Sequence, residues 1–185
     1  MTTASTLWFT GLSGAGKSTL ATATAKALRA RGHACTVLDG DIMRQGLCQG
    51  LGFSPADRRE NLRRIAEVAA LMNQAGLTVL VATISPLHSD REMARHIIGA
   101  AHWVSVYVST ALSVCEQRDA KGLYLRARRG EISDFTGVSA PYEVPSQEQL
   151  QIDTAQLTTE QAVHNVLSTL HSHMSNSSKQ EKNRL

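Results

Sequence analysis

The run Gly11-Leu12-Ser13-Gly14-Ala15-Gly16-Lys17-Ser18 follows the apolar segment Leu7-Trp8-Phe9 and fills every fixed position of G-x-x-x-x-G-K-[ST]. A strand that enters such a loop and leaves it through a helix allows few architectures. The glycines let the main chain curl until successive N–H groups point inward at phosphate oxygens. The helix that follows, with Thr19 in its first turn, adds unpaired amides and the positive end of its dipole. In that geometry Lys17 reaches the β- and γ-phosphates, and the Ser18 hydroxyl ligates Mg²⁺. The segment reads as the seat of a nucleoside triphosphate.

Downstream, strands and helices alternate. Leu7 to Thr10 reads as a strand, and a helix runs from Lys17 through Leu28 with Gly32 just past its end. Cys35 to Leu38 is a second strand ending in the tight turn Asp39-Gly40-Asp41. Ser54-Pro55 has the form of a cap and first-turn proline. It opens a long helix with an apolar stripe of Leu62, Ile65, Val68, Ala69 and Met72. Leu77 to Ala82 is a β-branched run suited to a strand buried on both faces. Ser89 starts a helix, Trp103 to Val108 is a strand, and a short helix spans about Ala111 to Arg118. A polar, basic stretch then reaches about Pro145. Leu150 to Ile152 is the last strand, and Thr158 to His173 the last helix, with Thr158 and Gln161 spaced as a capping box. The expected fold is α/β, a parallel sheet of about five strands of the P-loop NTPase type with helices on both faces. Residues 1–174 form one domain with a mobile lid at about 115–140, and the polar tail 175–185 is expected to be disordered.

Composition narrows the partners. A chain of 185 residues with net charge +3 and scattered basic residues gives no case for nucleic acid. No signal segment or membrane-length apolar run stands out, so cytoplasm is the expected location and no membrane partner is called. Cys35, Cys48 and Cys115 form no C-x-x-C pair and leave an odd count, which points to reduced, buried thiols.

In parallel sheets ligands sit beyond the carboxyl ends of the strands. No acid follows the strand Val79 to Thr83, so Asp39 and Asp41 are the candidates to support Mg²⁺ or accept a hydroxyl proton. Aspartates in such a turn also serve as local caps. Arg58 and Asn61 share a helix face and, with Arg44, suit a phosphate or sulfate, although a solvated basic face would show the same spacing. The segment Arg118 to Gly130 carries many cations between glycines. It reads either as a flap closing over phosphates or as a solvated connection.

Several short motifs together resemble the adenylyl-sulfate kinase family over about Trp8 to Leu170. They are Gly11 to Ser18, Leu38 to Asp41 with Arg44, and Leu51 to Ser54 with Asp57-Arg58 and Glu60-Asn61. Others are Ile84-Ser85-Pro86, Cys115-Glu116 with Arg118-Asp119, Lys121 to Tyr124, Phe135 to Gly137, Pro141 to Glu143 and Asp153-Thr154. The resemblance implies transfer of the ATP γ-phosphoryl group to the ribose 3′-hydroxyl of adenylyl sulfate, with Mg²⁺ and commonly a homodimer. It implies ATP contacts from Gly11 through Thr19 and from Arg118. It gives Asp41 the hydroxyl, Asp39 the metal, and Arg44, Arg58 and Asn61 the phosphosulfate. Phe53 and Phe135 would hold the adenine, backed by Ile84, with Ser85 and Leu123 also in the acceptor pocket and Lys121 on the transferring phosphate. The serine matching Ser85 is described in the family as a phosphoserine, whereas direct in-line attack needs no covalent step.

Departures from the family are few. Six residues precede Leu7 where relatives carry a longer segment, Leu87-His88 replaces an aromatic-basic pair, and Asp134 stands where a basic or amide side chain is frequent. No sulfurylase module is present, so coupling to ATP sulfurylase is expected in trans. A kinase of another small hydroxyl compound, or an ATP-binding switch without transfer, are the alternatives.

Overall fold

The computed structural model describes residues 4–146 and 148–182, with side chains described to residue 176. Five parallel strands lie in the order β2-β3-β1-β4-β5. They are β1 (Thr6–Thr10), β2 (Cys35–Asp39), β3 (Thr78–Ala82), β4 (Trp103–Val108) and β5 (Leu150–Ile152). The crossovers carry α1 (Lys17–Ala30), α2 (Gly40–Gln45), α3 (Pro55–Gln74), α4 (His88–Ile98), α5 (Leu112–Arg118) and α6 (Leu123–Arg128), and α7 (Thr159–Lys182) follows β5.

Period-two alternation divides the core into two layers. Leu7 and Phe9 of β1 join Leu80, Val104 and Val106 on one face, against Leu20, Leu28, Val166 and Leu170 of α1 and α7. Trp8 joins Val79, Val81 and Trp103 on the other, against Leu62, Ile65 and Ala69 of α3. The two indoles stack at 5.1 Å. Because both faces are covered, the inner strands read as continuous apolar runs. All three thiols are buried and free.

The caps expected at α3 and α7 form. Ser54 Oγ accepts from the Asp57 amide at 3.1 Å. The Thr158 and Gln161 side chains accept from each other's amides at 3.3 and 2.9 Å.

Other local readings change. Asp39-Gly40-Asp41 is the start of a helix, because Asp39 caps α2 by accepting from the Asp41 amide at 2.9 Å. The basic stretch after α5 contains α6, whose first-turn amides at Tyr124 and Leu125 are capped by the Asp119 carboxylate at 3.1 and 3.0 Å. Gly122 at the cap position has no side chain to do this. Helix α4 begins one residue early because Glu143, far along the chain, accepts from the His88 amide at 2.5 Å.

The tail expected to be disordered from Ser175 instead continues α7 as far as Lys182, while 183–185 lie outside the described residues. Adding turns to a helix already docked on α1 and β5 avoids the cost of a new nucleus.

Candidate active site

The carboxyl ends of β1, β2 and β3 converge on one mouth. Gly11 leaves β1 at φ 148, and a Cβ there would lie 2.4 Å from the carbonyl oxygen of Val108. Only glycine lets the loop pass this close to β4 before curling toward α1. Ser13 is braced from behind, its carbonyl accepting from the Tyr124 hydroxyl at 2.9 Å. Leu12, Gly14, Ala15 and Gly16 complete the curl, and Thr19 stands exposed on the first turn of α1.

Lys17 lies almost wholly buried and donates to the Leu12 carbonyl at 2.7 Å. Burial pulls its pKa down to about 8, against the opposing pull of Cys115, Asp41 and Asp39. Ser18 Oγ donates to Asp39 Oδ2 at 2.5 Å, so the cap residue of α2 and the last residue of the loop meet directly. These are hard oxygen donors. Among the described residues no cluster of three or more His, Cys, Asp or Glu side chains could hold a metal. One hydroxyl and one carboxylate beside a phosphate loop fit Mg²⁺, which keeps several waters and leans on substrate phosphates.

Asp41 projects from the first turn of α2 and pairs with Lys121 from the segment between α5 and α6. Arg44 donates to the carbonyls of Leu51 and Gly52 at 3.2 and 2.9 Å, with its guanidinium 4.4 Å above the exposed Phe53 ring. Arg58 donates to Phe53 O at 2.8 Å, Thr136 Oγ1 at 3.0 Å and Asp134 O at 2.6 Å. It thus ties the chain at Phe53 to the residues flanking Phe135. The Phe135 ring is buried edge-on against Tyr124 at 5.0 Å. Asn61 is buried with its Oδ1 unpartnered. Leu123 opens α6, half-buried against the α1 side of the core.

Ile84 is half-buried, and its carbonyl accepts from Thr10 Oγ1 at 2.7 Å. Ser85 is buried, and its hydroxyl accepts from the Trp8 indole at 3.0 Å.

Sequence reasoning named Arg118 as an ATP contact but gave Thr154, at the back of the loop, no role. Thr154 Oγ1 donates to Ala15 O at 2.8 Å and meets Thr110 Oγ1 at 2.9 Å. Arg118 reaches Gly14 O at 3.2 Å and Thr154 Oγ1 at 2.8 Å. These bonds occupy the carbonyl side of the loop. The signal was available, because Thr154 lies just past β5, at a strand end like the others.

A triphosphate loop, a cap carboxylate on its serine and a cationic segment reaching across the mouth define an ATP-dependent phosphotransferase of the P-loop class. Residues 3–153 match the family model described as Adenylylsulphate kinase, and the chain belongs to that family. The adenylyl-sulfate kinase of Shewanella sp. (strain MR-4) is 60% identical over 149 residues, covering 80% of this chain and 73% of its own. That of Prochlorococcus marinus is 54% identical over 164 residues, covering 89% and 82%. The Mycobacterium tuberculosis APS kinase, solved in complex with AMPPNP and APS, matches with a TM-score of 0.88 at 44% identity, over 92% of this chain and 99% of that one. The activity is therefore transfer of a phosphoryl group from ATP to adenylyl sulfate, the kinase step of sulfate assimilation. Among the described residues no helix is long and apolar enough to cross a membrane.

Proposed function

We propose that transfer in this chain runs at the mouth between the phosphate loop, the first turn of α2 and the Lys121 segment. The 3′-oxygen of adenylyl sulfate attacks the γ-phosphorus, the bond to the β-bridging oxygen breaks, and ADP leaves. Asp41 takes the hydroxyl proton and Lys121 faces the charge on the transferring group. Arg44, Arg58 and Asn61 grip the phosphosulfate, and Phe53, Phe135 and Ile84 border its adenine. Ser18 and Asp39 would hold Mg²⁺, which when bound screens the charge on the β- and γ-phosphates.

The observation that carries this reading is the contact of Asp41 with Lys121, two residues beyond the Asp39 that meets Ser18. It sets a base, a cation and a metal-binding pair around one space. Ser85 is read as a pocket-wall residue rather than a phosphoryl carrier, supported by its inward bond to Trp8. The basic segment from Arg118 to Gly130 is read as a lid that opens to admit both substrates. The same reading makes the chain a homodimer in the cytoplasm, supplied by ATP sulfurylase in trans. Its three buried free thiols suit a reducing compartment.

The test is ADP formation with and without adenylyl sulfate. ADP released at the same rate in both would remove the acceptor from the mechanism.

A further inference from the structure

The loop Ile84–Pro86 carries no charged side chain, yet separate segments of the chain tie it down. Thr10 Oγ1 donates to Ile84 O at 2.7 Å, and the Trp8 indole to Ser85 Oγ at 3.0 Å. Arg91 of α4 donates through Nη1 to Ser85 O at 2.9 Å and Pro86 O at 3.1 Å, and through Nη2 to Glu143 O at 2.9 Å. The Glu143 amide returns a bond to Pro86 O at 2.9 Å. Between these lies Tyr142, its hydroxyl 3.0 Å from Thr10 Oγ1 and its ring 6.0 Å from the Arg91 guanidinium.

Two features set this arrangement apart from ordinary packing. Ser85 has φ 38, a region that residues with a Cβ occupy only when their surroundings over-determine it. Arg91 is only 4% exposed. Its hydrogen bonds run to carbonyls, and among the described residues no ion pair links it to a carboxylate. Burying a guanidinium without a counter-ion is costly, and an apolar side chain could fill the same space. What the guanidinium adds is a planar fork that spans two segments at fixed angles.

We propose that Arg91 is a positioning residue for the acceptor. It pins Ser85 in its left-handed conformation and so sets where Ile84 meets the adenine of adenylyl sulfate, without touching substrate itself. The Tyr142–Glu143 segment, which follows the Phe135 region in sequence, is held by the same fork. This inference rests on the reading that Ile84 and Ser85 line the acceptor pocket.

Arg91→Lys keeps the charge and most of the stem but cannot reach three carbonyls together. KM for adenylyl sulfate is expected to rise about tenfold, with kcat at saturating acceptor and KM for ATP held within about twofold. Tyr142→Phe, which removes one hydroxyl and keeps the ring, shifts the same KM the same way by less. It carries the test if the Arg91 variant does not fold. Ile84→Ala reads the pocket wall directly. A rise with Ile84→Ala and none with Arg91→Lys or Tyr142→Phe overturns the clamp and leaves the pocket in place. No rise with any of the three overturns both. Matching losses in the two substrates' KM with Arg91→Lys mark a general structural role and also overturn the proposal.

Discussion

Lys121 and Asp41 lie 80 residues apart in sequence and join the segment between α5 and α6 to the first turn of α2. Both side chains are more than half exposed, at 60% and 66%. In water such a pair contributes on the order of 0–1 kcal/mol, so it does little for the fold. Its consequence is positional: a cation stands beside the carboxylate proposed to receive a proton. On the proposed mechanism, an arriving phosphate gives Lys121 a stronger partner and frees Asp41 for the acceptor hydroxyl.

Asp41→Asn keeps the shape of the side chain and removes its basicity. Turnover is expected to fall by about 10² to 10⁴, the usual weight of a general base, with ATP affinity within a few-fold of the parent. Lys121→Met is expected to lower kcat as well. Melting temperatures of both variants should stay close to the parent because the pair is exposed. Steady-state kinetics with a nucleotide-binding titration read all of this. Loss of ATP binding in step with turnover would take the base role away from Asp41.

Lys17 offers a pH-dependent signature. Burial holds its pKa at about 8, below the usual 10.5. Between those two values the unfolded chain binds more protons at this group than the native one, so its contribution to stability improves as pH rises through the window. A bound triphosphate draws the pKa back up. ATP binding at about pH 9 is therefore expected to take up protons that binding at about pH 6.5 does not. Calorimetry in buffers of different ionisation enthalpy measures this, and Lys17→Arg should abolish the difference. Equal proton counts at both pH values would contradict the assignment.

The sheet was legible because both signals it needs are local. Glycines and a lysine at fixed spacing mark the loop, and apolar runs of strand length mark β1, β3 and β4. The caps at Ser54 and Thr158 were legible for the same reason. What escaped depends on partners distant in sequence. The start of α4 is set by Glu143, and the back of the loop by Thr154. Helix α6 is nearer but still hidden, since its cap Asp119 precedes the usual position by three residues. At the mouth, Asp39 and Asp41 stood out by type. The resemblance already gave them different roles; their separate contacts, one with Ser18 and one with Lys121, follow from α2 being a helix where a turn was expected.

Gly11 should tolerate no side chain. At φ 148 a Cβ would meet a backbone carbonyl at 2.4 Å, and neither strand end can move away cheaply. Gly76, at φ 84 with nothing within 4 Å, is the control that carries the backbone strain alone. Gly76→Ala is expected to cost about 1 kcal/mol and leave kinetics unchanged. Gly11→Ala should cost about 3 kcal/mol or more and lose nucleotide binding. Denaturant titration and a nucleotide-binding assay separate the two. Similar costs at both positions would mean that the close approach to Val108 carries no weight.

Arg44 and Arg58 both lie near the Phe53 ring, at 4.4 and 5.9 Å. Desolvation, and then the like charge of Arg44, pull the Arg58 pKa below its ordinary value. Two cations held together, with Asp134 only partly offsetting them, favour an arriving anion, whose charge relieves their repulsion. Arg58→Lys keeps one positive charge but loses the fork that reaches Phe53, Asp134 and Thr136. KM for adenylyl sulfate is expected to rise about 10- to 100-fold, with KM for ATP little changed. Ligand-induced stabilisation provides a second reading that does not require turnover. Adenylyl sulfate at a fixed concentration should raise the melting temperature of the parent clearly more than that of Arg58→Lys. An equal shift in both would mean that the sulfated substrate is gripped elsewhere.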